Sequence, residues 1–362
     1  MELAKRVKAC YRFGKTPLSL KSGKKGGDKM KRVVIVGGTG NISVSIACLL
    51  IEKGYDVTCF NRGQNKMEML PADVRYLTGD RKDRTAFEKT MQAEKFDYAI
   101  DMVCFDAEDA ESDVRAFMGV EQFLMCSTAC TYGVRYDFLP VAETHPLRPW
   151  TSYGINKAAA DQVFLRAYRE KGFPVTIIKP STTYGNQVGM VSCVGINNLW
   201  IDRARKGKPL ILSGNGVTPH QFLHVADAAK GFVGALGKTH CIGESYNLVR
   251  EGFTDWKTYY ETGLRVLGCE AEFVNAPLDL LESLGYMDKG PGCEIFAYPT
   301  IYSCEKIYRD IPEFRPVISL EDGMREVIAY SDEHGMIPDC AAYPMDDCLV
   351  EYLKAGRRLF VK

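Results

Sequence analysis

Tyr153 and Lys157 stand four residues apart in Ser152-Tyr-Gly-Ile-Asn-Lys157, at the head of a run that predicts a helix over 153–171. Residues four apart share one helical face, so an ammonium is set beside a phenol. A neighbouring cation favours phenolate, lowering the tyrosine pKa toward the range where it exchanges a proton with an alcohol or ketone. A Tyr-x-x-x-Lys pair by itself is common on helix surfaces, but this one has company. It follows Cys126-Ser-Thr-Ala-Cys-Thr-Tyr-Gly133, which puts the hydroxyls of Ser127 and Thr128 just past a predicted strand.

A second constellation lies upstream. Arg32-Val-Val-Ile-Val-Gly-Gly-Thr-Gly-Asn-Ile-Ser43 joins five strand-like residues, a glycine turn and a helical run over 42–54. Glycine lets the backbone turn sharply and approach a pyrophosphate, whose charge meets free N–H groups and the positive end of the helix. The spacing is Gly37-x-x-Gly40-x-x-Ser43. A small residue at the third position still lets helix and strand pack closely. Gly37, Thr39, Gly40, Asn41 and Ile42 are therefore expected to cradle a dinucleotide. The second strand ends Cys59-Phe60-Asn61-Arg62-Gly63, without the acidic residue that usually holds a ribose 2′-hydroxyl. Asn61 can hydrogen-bond a hydroxyl and Arg62 can hold a 2′-phosphate, so the cofactor is NAD or NADP, with a lean to NADP. Asp80, in Thr78-Gly-Asp-Arg81 after the third strand, is placed to accept from the adenine amine.

These groups need a frame that brings strand ends together. Strands are predicted over 32–36, 56–60, 74–77, 98–103, 122–126 and 174–179, with helices over 85–93, 107–117 and 153–171. Repeated βα units imply an α/β fold of Rossmann type, a doubly wound parallel sheet with helices on both faces. Past Pro180 the rhythm loosens. Helices are expected over 194–205, 225–236, 255–267, 277–284 and 320–333, and strands over 210–212 and 245–249. The expected layout is a basic, disordered tail at 1–30 and a dinucleotide-binding domain at 31–180, to which segments of 210–250 return. A smaller substrate-binding lobe follows from 181–209 and 251–340, with a C-terminal tail at 341–362.

The 362 residues are 46% hydrophobic, and 46 basic side chains cancel 46 acidic ones. The whole chain therefore presents no polyanion-binding field. Residues 1–30 hold nine Lys/Arg against two acids, which leaves the remainder net acidic. Thirteen cysteines form no Cys-x-x-Cys pair and no His cluster joins them, so no metal is expected. Their odd, unpatterned number suggests a reducing, cytoplasmic setting. No apolar run approaches about 18 residues, so no membrane span is expected.

With turn, hydroxyls and Tyr-Lys pair in this order, the chain resembles an extended short-chain dehydrogenase/reductase of the NAD-dependent epimerase/dehydratase family, from about Val33 to Tyr330. The resemblance extends to Ser127-Thr-Ala-Cys-Thr-Tyr-Gly133, Glu143-Thr-His-Pro146, Lys179-Pro-Ser-Thr-Thr-Tyr-Gly185 and Phe222-Leu-His-Val-Ala-Asp227. It implies that Thr128 polarises the substrate oxygen, with Ser127 as the fallback. It also implies that Tyr153 is the acid/base and that Lys157 holds the nicotinamide ribose and tunes Tyr153. Pro180 and Ser181 would lie beside the nicotinamide. Ser127, Cys130, Thr182 and His220 would face the substrate.

The departures from the family bear on the substrate. Dehydratases of the family follow the threonine with an Asp-Glu pair; this chain has Ala129-Cys130, which disfavours dehydration. Nucleotide-sugar enzymes usually carry Arg-Asp before the Phe-x-His-Val segment, the arginine gripping the diphosphate, and here the pair is His220-Gln221. Thr182 stands where an asparagine usually contacts the sugar nucleotide. A neutral histidine is a poor diphosphate clamp. His224 and Asp227 match the family and read as structural, capping the helix that follows.

The expectation is an NAD(P)-dependent oxidoreductase or epimerase acting on a secondary alcohol or ketone of a sugar-like small molecule, in carbohydrate metabolism. Two alternatives stay open. One is a nucleotide-sugar epimerase proper. The other is a non-catalytic dinucleotide-binding protein with an RNA-binding role, since chloroplast stem-loop-binding proteins of the superfamily share an Asn-Arg-Gly after the second strand. The net acidic body and the intact Thr128, Tyr153 and Lys157 argue against nucleic acid. A homodimer is left open.

Overall fold

Val33, Val34, Ile35 and Val36 are each at most 1% exposed. A strand covered on both faces belongs at the centre of a parallel sheet. In the computed structural model, which describes residues 30–63, 70–286 and 293–360, these residues form β1 (Arg32–Val36). The other strands of its sheet are β2 (Asp56–Asn61), β3 (Arg75–Thr78), β4 (Tyr98–Asp101), β5 (Gln122–Cys126), β6 (Val175–Pro180) and β7 (Ser245–Leu248). Their order is β7-β6-β5-β4-β1-β2-β3, and every neighbouring pair is parallel. The direction of winding reverses between β1 and β4, which opens a crevice outside the carboxyl ends of the strands.

Helices α1 (Asn41–Glu52), α2 (Arg84–Glu94), α3 (Ala107–Phe117) and α4 (Ser152–Lys171) join the first six strands, and α5 (Leu199–Arg205) and α6 (Val225–Ala235) come later. Side chains alternate across a strand. Val33 and Ile35 accordingly pack under Ile46 and Leu50 of α1 and Phe232 of α6. Val34 and Val36 pack on the other face with Phe87 of α2, Phe117 of α3 and Phe164 of α4. Capping side chains fix where helices start. Asp106 accepts from Asp109 N at 2.8 Å and Thr151 from Gly154 N at 3.0 Å. The second cap places Tyr153 in the first turn of α4 and Lys157 one turn further in.

Most element boundaries agree with the sequence reading to within a residue or two, and two differences have a visible cause. β4 stops at Asp101 instead of Val103, because Asp101 Oδ1 accepts from Val103 N at 2.6 Å and turns the chain out of the sheet. The helix expected from residue 194 begins only at Leu199. Gly195 and Asn198 take φ of 78° and 65°, and the Asn198 side chain accepts from Met190 N.

Outside the sheet, Trp200, Tyr259, Tyr260, Met324 and Val327 form a separate core. The expected C-terminal tail contains a helix, Pro344–Phe360. It buries Leu349 and Val350 against Val274 and Leu281, and Asp347 pairs with Arg203 at 2.9 Å. The basic tail expected at 1–30 lies outside the described residues, apart from Met30. No helix among the described residues is long and apolar enough to cross a membrane.

Candidate active site

The glycine turn is shaped by what its neighbours forbid. Gly37 has φ +81°, and a Cβ there would come within 2.5 Å of Val103 Cγ1. A Cβ on Gly38 would overlap the Cys59 sulfur. The backbone can therefore approach a ligand only because both positions are glycine. Gly40 caps α1 with no side-chain acceptor, so the first-turn N–H groups stay open to the crevice.

Four buried polar atoms line this end of the sheet without a hydrogen-bond partner among the described residues: Asn41 Oδ1, Ser43 Oγ, Asn61 Nδ2 and Ser127 Oγ. Burying a polar atom unpaired costs on the order of 1–3 kcal/mol, so a cluster of them marks a surface that fits a polar ligand. One acceptor, one donor and two hydroxyls that can do either, beside a helix N-terminus, fit a dinucleotide. Thr39 Oγ1 donates to Asn61 Oδ1 at 3.4 Å, which turns the amide nitrogen of Asn61 outward. Ile42 is buried in the α1 core instead of lining the crevice, so only its backbone can contribute. Arg62 is exposed just past the end of β2. Asp80 is exposed after β3, with Oδ1 accepting from Lys82 N at 2.9 Å.

The reactive groups gather where β5 and β6 end. Thr128 caps a short 3-10 turn, Ala129–Tyr132, and its Oγ1 accepts from Cys130 N at 3.2 Å. Its hydroxyl proton is left to bond the Tyr153 phenol. Lys157, 1% exposed, donates from Nζ to Cys126 O at 2.7 Å and lies 5.9 Å from the Tyr153 ring centroid. Burial pushes the Tyr153 phenol well above its ordinary pKa, with Cys126 and Cys130 adding to the rise, while the Thr128 hydrogen bond pulls the other way. This reverses the expectation that the lysine depresses the tyrosine. The ammonium is turned to the Cys126 carbonyl and the Phe105 ring, 5.0 Å away, and it does not offset the loss of solvent.

On the β6 side, Pro180 ends the strand and Ser181 Oγ donates to Gln221 O at 3.1 Å. Thr182 is half-buried, and its Oγ1 lies 2.9 Å from His220 Nε2. His220 itself is 0% exposed, boxed in by Phe222, Trp256 and Phe296. Burial lowers its pKa to about 3, so the ring is neutral at working pH. The structure thus gathers Thr128, Cys130, Tyr153 and Lys157 past the end of β5, with Ser127 beside them, and keeps His220 in the core, in contact with Thr182. His224 caps α6 through Nδ1, and Asp227 accepts from Val317 N and Ile318 N. Both are structural, as expected.

The loop after β4 was missed from the sequence. Val103 touches Gly37 and Phe105 faces Lys157, so one short segment borders both the cradle and the reactive lysine. The available signal was a strand-ending Asp101 followed by Asp109 and Asp113, which fall with Ala110, Val114 and Phe117 on the buried face of α3.

Comparison with known proteins shows the family and the fold. Residues 33–248 match the model of the NAD dependent epimerase/dehydratase family. A 2'-dehydrokanamycin reductase from Streptomyces kanamyceticus is 26% identical over 248 residues, covering 68% of this chain and 70% of that protein. The chloroplast stem-loop binding protein of 41 kDa b from Arabidopsis thaliana is 27% identical over 235 residues, 62% of this chain and 60% of its own. The fold matches UDP-glucuronic acid 4-epimerase from Bacillus cereus, solved with UDP-glucuronic acid and NAD, with a TM-score of 0.67 at 17% identity, covering 84% of this chain and all of that one.

Proposed function

The chain belongs to the NAD dependent epimerase/dehydratase family of extended short-chain dehydrogenases/reductases, and on that premise we propose that it interconverts a secondary alcohol and a ketone on a sugar-like substrate. The observation that carries this reading is the convergence of the Tyr153 phenol, the Thr128 hydroxyl and the Lys157 ammonium at the ends of β5 and α4, beside a polar, uncapped glycine cradle. When bound, the nicotinamide supplies hydride to the substrate carbon or accepts it. Gly37 to Ile42 hold the pyrophosphate through backbone N–H groups, and Lys157 holds the nicotinamide ribose. Thr128 steers the substrate oxygen toward Tyr153. Tyr153 gives its phenolic proton to that oxygen on reduction and takes it back on oxidation. Its raised pKa keeps the proton in place at neutral pH, which suits a general acid.

NADP(H) is the proposed partner, since Arg62 stands exposed at the end of β2 beside Asn61. Arg62→Ala should weaken NADP(H) by about 1.5–3 kcal/mol, the contribution of a charge-assisted contact, and leave NAD(H) nearly unchanged. Calorimetry with both cofactors checks this, and an equal loss for the two would remove Arg62 from the site.

The proposed substrate is a sugar or glycoside without a nucleotide. A core histidine that stays neutral offers no cation to a diphosphate. A turnover screen with both cofactors should find free glycosides oxidised or reduced faster than UDP or dTDP sugars. Saturable micromolar binding of UDP alone would contradict the assignment.

A further inference from the structure

Behind the cradle lies a buried group of charges that the proposed reaction does not use. Arg81 is 7% exposed and faces three carboxylates that are each 0% exposed. Its Nη2 lies 3.1 Å from Asp101 Oδ2 and 2.7 Å from Asp113 Oδ1, and its Nη1 lies 2.6 Å from Asp109 Oδ2. Burial and the neighbouring Asp101 drive the Asp113 carboxyl well above the usual range. Lys82 Nζ also approaches the group, 2.8 Å from Asp109 Oδ1.

Stability alone explains such a group poorly, because well-packed apolar residues often serve a core as well as buried ion clusters or better. What the group does is fix a backbone. Asp101 grips Arg81 with Oδ2 and accepts from Val103 N at 2.6 Å with Oδ1. A single oxygen of Asp109, Oδ2, meets Arg81 and accepts from Phe105 N at 3.0 Å. Met102 N is held by Val36 O at 3.0 Å. Three amides of one short strap are thereby pinned, two of them through carboxylates that Arg81 holds. The strap in turn carries Val103 against Gly37 and the 45% exposed Phe105 against Lys157 Nζ.

We propose that Arg81 is a positioning residue for dinucleotide binding: through Asp101 and Asp109 it sets the strap 102–106, and the strap sets the glycine turn and the Lys157 ammonium. Arginine suits the place because its broad guanidinium stands within ion-pair distance of Asp101, Asp109 and Asp113 at once, whereas lysine offers a single point charge. The inference rests on the cofactor reading above, and the experiment separates the two.

The test is calorimetric titration of the full chain with NAD(H) and NADP(H), well below the melting midpoint, for wild type, Arg81→Lys, and both in a Val103→Ala/Phe105→Ala background. Arg81→Lys is expected to raise the cofactor Kd about tenfold, and that cost should disappear in the background that lacks the two strap side chains, since residues acting through one another are not additive. A purely structural role would lower the melting temperature and leave the Kd of the folded protein unchanged. If Arg81→Lys does not fold, Asp109→Asn breaks the same tie from the other end with its shape kept, and it should show the same background-dependent loss. Unchanged Kd in the folded variant, or a loss that persists in full without Val103 and Phe105 side chains, would overturn the proposal. A wild type that binds neither cofactor would overturn the cofactor reading, and this inference with it.

Discussion

Tyr153→Phe lowers turnover of an identified substrate by roughly 10²–10⁴-fold, the usual contribution of a positioned general acid/base, while cofactor affinity barely changes. The substitution removes one oxygen from a half-buried ring in the first turn of α4 and leaves the ring's packing in place. The pH dependence follows from the phenol's surroundings. Burial raises its pKa, so in the reducing direction, where the acid form is needed, the rate stays flat through neutral pH and falls only above the raised value. In the oxidising direction the phenolate is needed, so the rate climbs about tenfold per pH unit across the same range. Thr128→Val removes the hydrogen bond that opposes the rise, and should push the oxidation profile to still higher pH besides lowering turnover. Near-full activity in Tyr153→Phe would remove Tyr153 as the acid/base of the reaction.

What the sequence made legible was spacing, and what it hid was depth. The Gly37-x-x-Gly40 turn, the Tyr153/Lys157 face and the alternation of strands and helices are features of spacing, and spacing survives being read from one chain. The direction of the Tyr153 shift did not survive, because four-residue spacing brings two side chains to one face without saying where the longer one points. Lys157 Nζ is drawn to the Cys126 carbonyl, which β5 presents at the sheet's end. His220 shows the same limit. A polar residue two positions before a buried phenylalanine reads as crevice-facing, yet Phe222 itself and two rings from distant segments, Trp256 and Phe296, enclose it. The strap 102–106 was hidden for a related reason. Arg81 and its carboxylates lie 20 or more residues apart in sequence and look like solvated charges until the fold buries them together. The C-terminal helix went unread because its apolar pair, Leu349 and Val350, needs a partner surface contributed by Val274 and Leu281.

Lys157→Met separates holding the cofactor from tuning the acid. Methionine nearly keeps the volume of the lysine stem and removes the charge, so the 1% exposed site between Cys126 O and the Phe105 ring stays filled. A hydrogen bond from a charged group contributes about 1.5–3 kcal/mol, so the dinucleotide Kd should rise roughly 10- to 150-fold. The oxidation pH profile should move less than it does in Thr128→Val, because Nζ is directed at a carbonyl and an aromatic ring while the Thr128 hydroxyl bonds the phenol directly. In a Tyr153→Phe background the loss of affinity should persist undiminished, since it does not pass through the phenol. Calorimetry and pH–rate profiles on the three proteins check this. An unchanged Kd with a large upward shift of the profile would reverse the assignment, making Lys157 the tuner of Tyr153 and leaving the ribose to other groups.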